Sequence, residues 1–198
     1  MAWDTEGTRR RLLDAAVIEF AAGGFAATKV EAIAARAGVN KERLYNYFGD
    51  KKALWDLVLA AELGRLASAV RLSGAGLDDI GEFAGATFDY HAEHPQLARL
   101  LQWEGLQGGP PANAAERSIH YRDKVARFGI AQGEDAIDSR IDPDHLVFAL
   151  IALAAWWQTV PQRAERIPGA AGQDIDERAR RRGFVVEAAR RLSAPTKG

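Results

Sequence analysis

Apolar residues recur at intervals of three and four along most of the chain, the spacing that places side chains on one face of an α-helix. Near the N-terminus Leu13, Val17 and Phe20 share such a face, beside Leu12 and Ala16. No segment shows a convincing alternation of apolar and polar residues, which would be typical of a half-buried strand. The pattern therefore predicts an all-α protein.

Glycines and capping residues divide the N-terminal part into four predicted helices. A Gly-Gly pair at 23–24 marks the end of the first helix. Thr28 and Glu31 form a capping-box pattern, in which each side chain satisfies a free backbone amide at the start of the second helix. Asn40 and Asp50 are residue types that cap the third and fourth helices. The predicted helices cover 5–22, 28–37, 41–48 and 51–72.

Five further helices are predicted in the C-terminal part, separated by segments that contain proline or glycine. They cover 77–94, 96–106, 114–132, 142–160 and 174–192. The long fourth helix connects the two parts. We therefore predict two domains, a tri-helical helix-turn-helix domain over 1–52 and a larger helical domain over 53–198.

Composition narrows the class of protein. The absence of Cys excludes disulfides, thiolate metal sites and a catalytic cysteine. Acidic residues at Asp4 and Glu6 occupy the place of a signal peptide's basic start, and no apolar stretch is long enough to span a bilayer. We expect a cytoplasmic protein with no membrane partner. The formal net charge is −1, so any attraction to nucleic acid depends on where the cations lie.

The second and third predicted helices have the spacing of a helix-turn-helix, the motif that places its second helix in the DNA major groove. Ala34 is small where the third helix must cross the second closely, and Gly38 can take the positive φ that the turn requires. Leu44 fills the core between the two helices. The N-terminal domain is therefore predicted to bind double-stranded DNA.

The exposed face of the third helix carries side chains that can contact base edges. Arg43 can bind guanine bidentately, Lys41 a guanine or a phosphate, and Glu42 a cytosine amine, while Asn46 also lies on this face. Further hydroxyl and ammonium groups suit phosphates, namely those of Thr28, Tyr45, Tyr47, Lys51 and Lys52. A helical hairpin with a solvated basic face is the competing interpretation.

These N-terminal positions resemble the signature of the TetR family of bacterial transcriptional regulators. The similar segments are Arg11–Ala16, Glu19–Phe20, Gly24–Phe25, Thr28, Ile33–Ala34, Ala37–Val39, Leu44–Phe48 and Asp50–Leu54. The resemblance implies a phosphate contact at Thr28, base-reading positions at Lys41, Glu42 and Arg43, backbone contacts at Tyr45 and Tyr47, and a phosphate-binding lysine at Lys51. Ala32, Asn40 and the pair Glu42-Arg43 depart from the family pattern, and the last departure leaves the operator sequence open.

The resemblance also implies that the C-terminal helices pair two subunits and enclose an inducer. The apolar runs 146–153 and 184–189 can form a dimer interface, or they can belong to the core of one subunit. Aromatic and polar side chains of this part can line a cavity for an unidentified small-molecule effector, although core is the commoner place for each of them. The candidate effector contacts are Phe88, His91, Trp103, Tyr121, Phe128, Trp156 and Trp157.

We predict no metal and no cofactor. His91 and His94 are three residues apart and could share a metal with Glu104 or Asp89, but two histidines before a helix-ending proline are more typical of a surface feature. No nucleophile elbow, phosphate loop or zinc-protease motif is present, so we do not expect an enzyme. The sequence favours a repressor that releases a palindromic operator on binding its effector. The alternatives are a helical small-molecule binding protein or enzyme, and a helical scaffold that pairs with another protein.

Overall fold

A computed structural model describes residues 5–74, 76–167 and 175–195, and these ranges contain helices and no strand. The predicted all-α class is confirmed. None of the helices in these ranges is both long and apolar enough to cross a membrane. The helices are α1 (Thr5–Ala27), α2 (Val30–Ala37), α3 (Lys41–Phe48), α4 (Lys51–Ala69), α5 (Leu77–Glu93), α6 (Pro95–Gln107), α7 (Ala114–Gly133), α8 (Pro143–Thr159), α9 (Pro161–Ala164) and α10 (Ile175–Ser193).

The chain forms two compact units. The first consists of residues 1–65 and 96–114, and the second of residues 66–95 and 115–198. The expected boundary between residues 52 and 53 falls inside α4, and the first unit also includes α6, which the sequence assigned to the C-terminal domain. The observed C-terminal helix bounds lie within one residue of the predicted ones, except that the predicted start at Asp174 lies outside the described residues and the four-residue α9 was not predicted.

The core of the first unit joins α1 to the helix-turn-helix. Leu12, Phe20, Ile33 and Leu44 are fully buried in one cluster. The ring of Trp55, on α4, meets Phe20 edge to face at 5.1 Å. Burial of large side chains from α1 to α4 therefore fixes the orientation of the two short helices, which are too short to be stable alone.

The start of α2 differs from the predicted capping box. Lys29 is the N-cap residue and makes no side-chain cap. The hydroxyl of Thr28 instead donates to the carbonyl oxygen of Gly24 at 2.6 Å and to that of Glu19 at 3.0 Å. The carbonyls at the end of α1 need donors, and the buried threonine supplies one. The capping-box prediction was wrong because α1 continues to Ala27, across a non-helical residue at Gly24.

In the second unit, α5 and α10 approach closely because α5 carries glycines on the contact face. A Cβ on Gly85 would lie 2.8 Å from Val186 Cγ2, and one on Gly81 would lie 2.9 Å from Arg190 Nε. Ion pairs flank this contact, including Arg182 Nε with Asp89 Oδ2 at 2.6 Å. Helix α8 also packs against α5. Because α5 contacts both α8 and α10, it lies at the centre of this unit.

The loop between α7 and α8 is fastened to the end of α10 through Asp138. Its backbone amide donates to the carbonyl oxygen of Ser193 at 2.9 Å, and its carboxylate accepts from Arg140 NH2 at 2.6 Å. Gln132 Nε2 donates to the carbonyl oxygen of Asp138 at 2.9 Å. Hydrogen bonds from Arg140 lower the pKa of the Asp138 carboxyl from 3.8 to about 2.

Protonation of Asp138 should therefore contribute to acid unfolding. A carboxyl whose pKa is depressed in the folded state stabilises the protein above its unfolded pKa and loses that contribution as the pH falls through the folded value. We expect Asp138→Asn to lower the urea midpoint at pH 6, and the difference from the unmodified protein to shrink between about pH 4 and about pH 2. Glu134→Gln, an exposed change in the same loop, is the control. A difference that stays constant over this range would contradict the assignment.

Candidate nucleic-acid interface and effector residues

The turn between α2 and α3 has the geometry that the sequence predicted. Gly38 lies in the left-handed region at φ 69° and ψ 35°. Asn40 caps α3, its Oδ1 accepting from the backbone amide of Arg43 at 3.1 Å. Leu44 is fully buried between the helices. These contacts fix α3 relative to α2 and leave the opposite face of α3 uncovered.

That face presents four of the predicted contact residues to solvent. The side chains of Lys41, Glu42, Tyr45 and Asn46 are exposed. Tyr45, which has a large aromatic ring, is 43% exposed to solvent. Arg43 is half-buried beside them. An α-helix of this kind fits the major groove, which is about 12 Å wide, so all five side chains can reach base edges or phosphates from one helix.

Lys41 has an acidic neighbour on α2, which helical periodicity alone does not reveal. Its ammonium lies 3.3 Å from Glu31 Oε1 on α2. A hydrogen bond from the glutamate's own backbone amide, together with the Lys41 ammonium, lowers the pKa of the Glu31 carboxyl. Because both side chains are exposed, the pair is weak, and a phosphate or guanine can take Lys41 from it at small cost.

Lys51 and Tyr47 lie at the edges of the same surface. The Lys51 ammonium lies 4.6 Å from the centre of the Phe25 ring and donates to the carbonyl oxygen of Ala26 at 3.4 Å. Tyr47 is half-buried, with its ring 6.1 Å from that of Phe48. Asp50 caps α4 as predicted, its Oδ1 accepting from the amide of residue 53 at 2.7 Å.

Thr28 is placed less favourably for a phosphate than the sequence suggested. It is buried, and its hydroxyl is committed to the two carbonyls at the end of α1. The neighbouring Lys29 is exposed at the start of α2. Thr28 therefore positions the first turn of α2, and its phosphate contact stays a prediction that the hydroxyl geometry does not support.

Arg9 also lies near this surface, with its guanidinium carbon 5.7 Å from the centre of the Phe48 ring. This places a cation of α1 beside the C-terminal end of α3. The run of three arginines at 9–11 was visible in the sequence, but which of them faces α3 depends on how α1 packs.

Of the candidate effector contacts, Phe88 and Phe128 are fully buried in the second unit, as core residues are. Trp103 belongs to the first unit, where its indole Nε1 donates to the carbonyl oxygen of Ala21 at 3.3 Å. Its ring covers Gly24 so closely that a Cβ there would lie 2.7 Å from Trp103 Cδ2. The Trp103 side chain thus packs against α1 at Gly24.

The remaining aromatic candidates lie towards the surface. Trp156 is 53% exposed on α8, and Tyr121 is 45% exposed on α7. Trp157 is flanked by the Arg181 guanidinium, 5.1 Å from its ring, and by the Phe184 ring at 6.2 Å.

His91 is buried on α5, contrary to the surface position that its spacing from His94 suggested. Its Nδ1 has no hydrogen-bond partner among the described residues. Burial, reinforced by His94, lowers the pKa of the His91 imidazole. The carboxylate of Asp89, one of the metal ligands considered for this pair, instead binds Arg182. His91 therefore offers an imidazole nitrogen without a hydrogen-bond partner among the described residues of the second unit.

A group with metal-ligand spacing occurs elsewhere in the described part of the chain. It consists of Asp142, Asp144 and His145 at the start of α8, all of them exposed. His145 Nδ1 lies 3.6 Å from Asp142 Oδ2, and both side chains are about three-quarters exposed.

Sequence comparison matches both halves of the chain to one family. Residues 12–58 match the profile described as bacterial regulatory proteins of the tetR family. Residues 79–191 match the profile described as the tetracyclin repressor-like C-terminal domain. The first match contains α2 and α3, and the second contains most of the second unit.

Individual relatives agree with these matches. The HTH-type transcriptional repressor SCO4008 of Streptomyces coelicolor is 38% identical over 193 residues, which cover 96% of this chain and 97% of the relative. The HTH-type transcriptional regulator RutR of Escherichia coli K12 is 29% identical over 84% of this chain and 81% of its own. The crystal structure of SCO4942 from Streptomyces coelicolor superposes with a TM-score of 0.81 at 29% identity, over 96% of this chain and 99% of the other.

Proposed function

This chain belongs to the TetR family of bacterial transcriptional regulators, and from that premise we propose that it is a homodimeric repressor that releases a palindromic operator when a small molecule binds. It is a DNA-binding transcriptional regulator and not an enzyme. The observation that carries the DNA-binding role is the exposed face of α3, held outward by the Gly38 turn and the buried Leu44. Because its target is chromosomal DNA, we place its action in the bacterial cytoplasm.

Within the interface, α3 supplies sequence recognition. We assign Arg43 to a guanine, Asn46 to an adenine and Glu42 to a cytosine amine, because these side chains match the hydrogen-bonding edges of those bases in the major groove. Lys41 can leave Glu31 for a guanine or a phosphate. The exposed hydroxyl of Tyr45 contributes to the contacts with the DNA backbone.

The positioning contacts lie at the margins of α3. Tyr47 and Lys51 are assigned to phosphates on the side where α4 begins. At the start of α2 we assign the phosphate to the N-terminal end of the helix, which Thr28 positions and whose dipole attracts anions. These contacts set the register of the protein on the duplex and do not read its sequence.

Selection of genomic fragments with the purified full chain, followed by hydroxyl-radical footprinting of the best fragment, tests this proposal. We expect two protected half-sites related by a two-fold axis, with centres about 34–36 Å apart or a multiple of that distance. A single protected site, or uniform weak protection, would contradict the dimeric arrangement on DNA.

Exposed aromatic side chains on α8 and α10 support a homodimer. Phe148 is 74% exposed, Trp156 53% and Phe184 55%. Phe184 and the neighbouring Trp157 are in edge-to-face contact, so α8 and α10 adjoin where these apolar side chains emerge. Large uncovered aromatic side chains of this kind are typical of protein interfaces. A second copy of the chain, which presents the same surface, is the occupant that we propose.

Charge introduced on this surface should separate the subunits. We expect Phe148→Glu or Phe184→Glu to weaken dimerisation at least about thirtyfold, since removing an aromatic anchor from an interface typically costs about 2 kcal/mol or more. Analytical ultracentrifugation over a range of concentrations measures the change. Ile18→Glu, at an apolar residue that is 50% exposed on α1, should leave the association unchanged. Equal effects of all three substitutions would argue against this interface.

The effector site that we propose lies in the second unit around His91. A buried imidazole nitrogen without a partner is costly unless a ligand or water satisfies it. Lys124, on α7, lies 6.0 Å from the Phe83 ring, and burial lowers the pKa of its ammonium. His91 and Lys124 are the polar groups that we expect an effector to contact, with Phe83 as part of the apolar wall.

A screen for release of the bound duplex tests the effector part of the proposal. The operator fragment is labelled, and small molecules are scored by the fall in fluorescence anisotropy. Compounds that act by binding the protein should also raise its melting temperature without DNA, because ligands stabilise the state they bind. If no compound met both criteria, the protein would stand as a regulator without a small-molecule effector.

A further inference from the structure

One cation beside α3 is held by an aromatic ring instead of an acidic side chain. The Arg9 guanidinium lies over the ring of Phe48, 5.7 Å from its centre, and no carboxylate of the described residues pairs with it. Phe48 is the last residue of α3 and is buried, so its ring is a fixed support. The arrangement holds the guanidinium near the end of α3 and leaves its full charge available.

Other cations near α3 are partly neutralised. Lys41 lies against Glu31 at 3.3 Å, and Lys52 Nζ lies 2.7 Å from Asp56 Oδ1. Lys51 donates to a backbone carbonyl at the end of α1. Arg9, like Lys51, is therefore a cation near α3 that an aromatic ring supports, and no carboxylate of the described residues pairs with its guanidinium.

The next residue on the same helix behaves differently. Arg10 is 83% exposed, and its Nε lies 4.0 Å from Asp14 Oδ2, one helical turn along α1. Successive residues of a helix point about 100° apart, so Arg10 cannot share the position of Arg9 over Phe48. Arg10 is thus a matched control of identical charge and nearly identical place in the sequence.

We propose that Arg9 is an additional DNA-backbone contact, which binds a phosphate at the edge of the major groove that α3 enters. The proposal rests on the proposed DNA-binding mode of α3. A helix in the groove has a phosphate backbone on each side, and a guanidinium can bind two phosphate oxygens at once. In the absence of DNA, the contact with Phe48 holds the Arg9 guanidinium away from carboxylate side chains. The contact adds affinity for any sequence and no discrimination between sequences.

The test compares Arg9→Ala with Arg10→Ala in the full chain. Binding to the selected operator fragment and to an unrelated duplex of equal length is titrated at several salt concentrations. The slope of log K against log salt is negative, and loss of one phosphate contact reduces its magnitude by about 0.9. This change corresponds to about an eightfold loss of affinity at about 0.1 M salt. We expect Arg9→Ala to show this loss on both duplexes, with the ratio between them unchanged, and Arg10→Ala to match the unmodified protein.

A second pair of variants separates charge from packing. Arg9→Lys keeps the charge and Arg9→Gln removes it, while both keep an aliphatic stem against Phe48. The slope of the lysine variant should equal that of the unmodified protein, and the slope of the glutamine variant should be smaller in magnitude by about 0.9. If Arg9→Ala melts at a lower temperature than the unmodified protein, the comparison of the lysine and glutamine variants still separates the loss of charge from the loss of packing.

Four results would overturn the proposal. One is an equal slope for the lysine and glutamine variants, which would make Arg9 a packing residue only. Another is a loss confined to the operator fragment, which would make Arg9 a base-reading residue. If the unmodified chain bound neither duplex with any salt dependence, the proposed DNA-binding mode and the Arg9 contact would fail together. Normal binding with an inert Arg9 would reject the contact alone.

Discussion

Replacing Gly24 with alanine is expected to lower the free energy of unfolding by about 2–6 kcal/mol. Gly24 has a φ of 69° and a ψ of −179°, a conformation that is essentially restricted to glycine and costs an L-residue about 1–3 kcal/mol. A Cβ there would also lie 2.7 Å from Trp103 Cδ2. The indole cannot easily retreat, because its Nε1 donates to the carbonyl oxygen of Ala21 at 3.3 Å. Arg99 Nε donates to the same carbonyl at 2.8 Å and holds α6 against α1.

Two controls divide this cost between backbone and contact. Gly38 has the same φ of 69° with a ψ of 35°, the left-handed helical conformation, and a Cβ on it would meet nothing within 4 Å. Gly38→Ala therefore gives a lower bound for the backbone part at Gly24, without any contact part. In a double-mutant cycle with Trp103→Ala, the contact part should disappear. Urea unfolding of the unmodified chain, the three single variants and the double variant gives the energies. Equal costs at Gly24 and Gly38, or no coupling to Trp103, would contradict the role given to the indole.

The position of Gly24 links the stability of the first unit to DNA binding. The Gly24 carbonyl accepts the hydroxyl of Thr28 at the start of α2, and Lys51 lies over the next residue's ring. A shift of this turn would therefore displace the first turn of α2 and a proposed phosphate contact. Gly24→Ala should weaken binding to every duplex, in proportion to the population that has lost this packing.

The second large effect is expected at Arg43, where alanine should cost about 1–3 kcal/mol of discrimination between operator and unrelated DNA. This corresponds to a loss of about 5- to 150-fold in the affinity ratio. The reason is that a bidentate guanidinium–guanine contact is made only at the correct base pair. Equilibrium titration of both duplexes at one salt concentration measures the ratio.

Arg36→Ala is the matched control for Arg43. Arg36 is an arginine of the same helix-turn-helix, but its Nε is bound to Glu19 Oε1 at 2.6 Å and it lies on α2. Its loss should leave the affinity ratio unchanged, even if the absolute affinity falls slightly. An unchanged ratio for Arg43→Ala would remove this residue from sequence recognition.

Local signals allowed much of the DNA-binding region to be predicted from sequence. Gly38, Asn40 and Asp50 act at the positions expected of them because turns and helix caps depend on a few neighbouring residues. The inward position of Leu44 follows from helical periodicity. These features are short-range, so a single sequence contains the information that determines them.

Features that depend on distant parts of the chain could not be predicted. Thr28 looked like a capping residue, but the carbonyls of α1 compete for its hydroxyl. Trp103 looked like a cavity residue, yet it packs on Gly24, 79 positions earlier. The pairing of His91 with His94 looked like a surface feature, but His91 is buried on α5. In each case tertiary packing decided the role of the side chain.

The most direct test of the central claim is an equilibrium comparison of the full chain on its best selected genomic fragment and on an unrelated duplex, at about physiological salt. A specific regulator typically binds its own site at least about a thousandfold more tightly than other DNA, and we expect a ratio of this size that falls in Arg43→Ala. Equal binding to both duplexes, unaffected by Arg43→Ala, would contradict the assignment of α3 as a recognition helix.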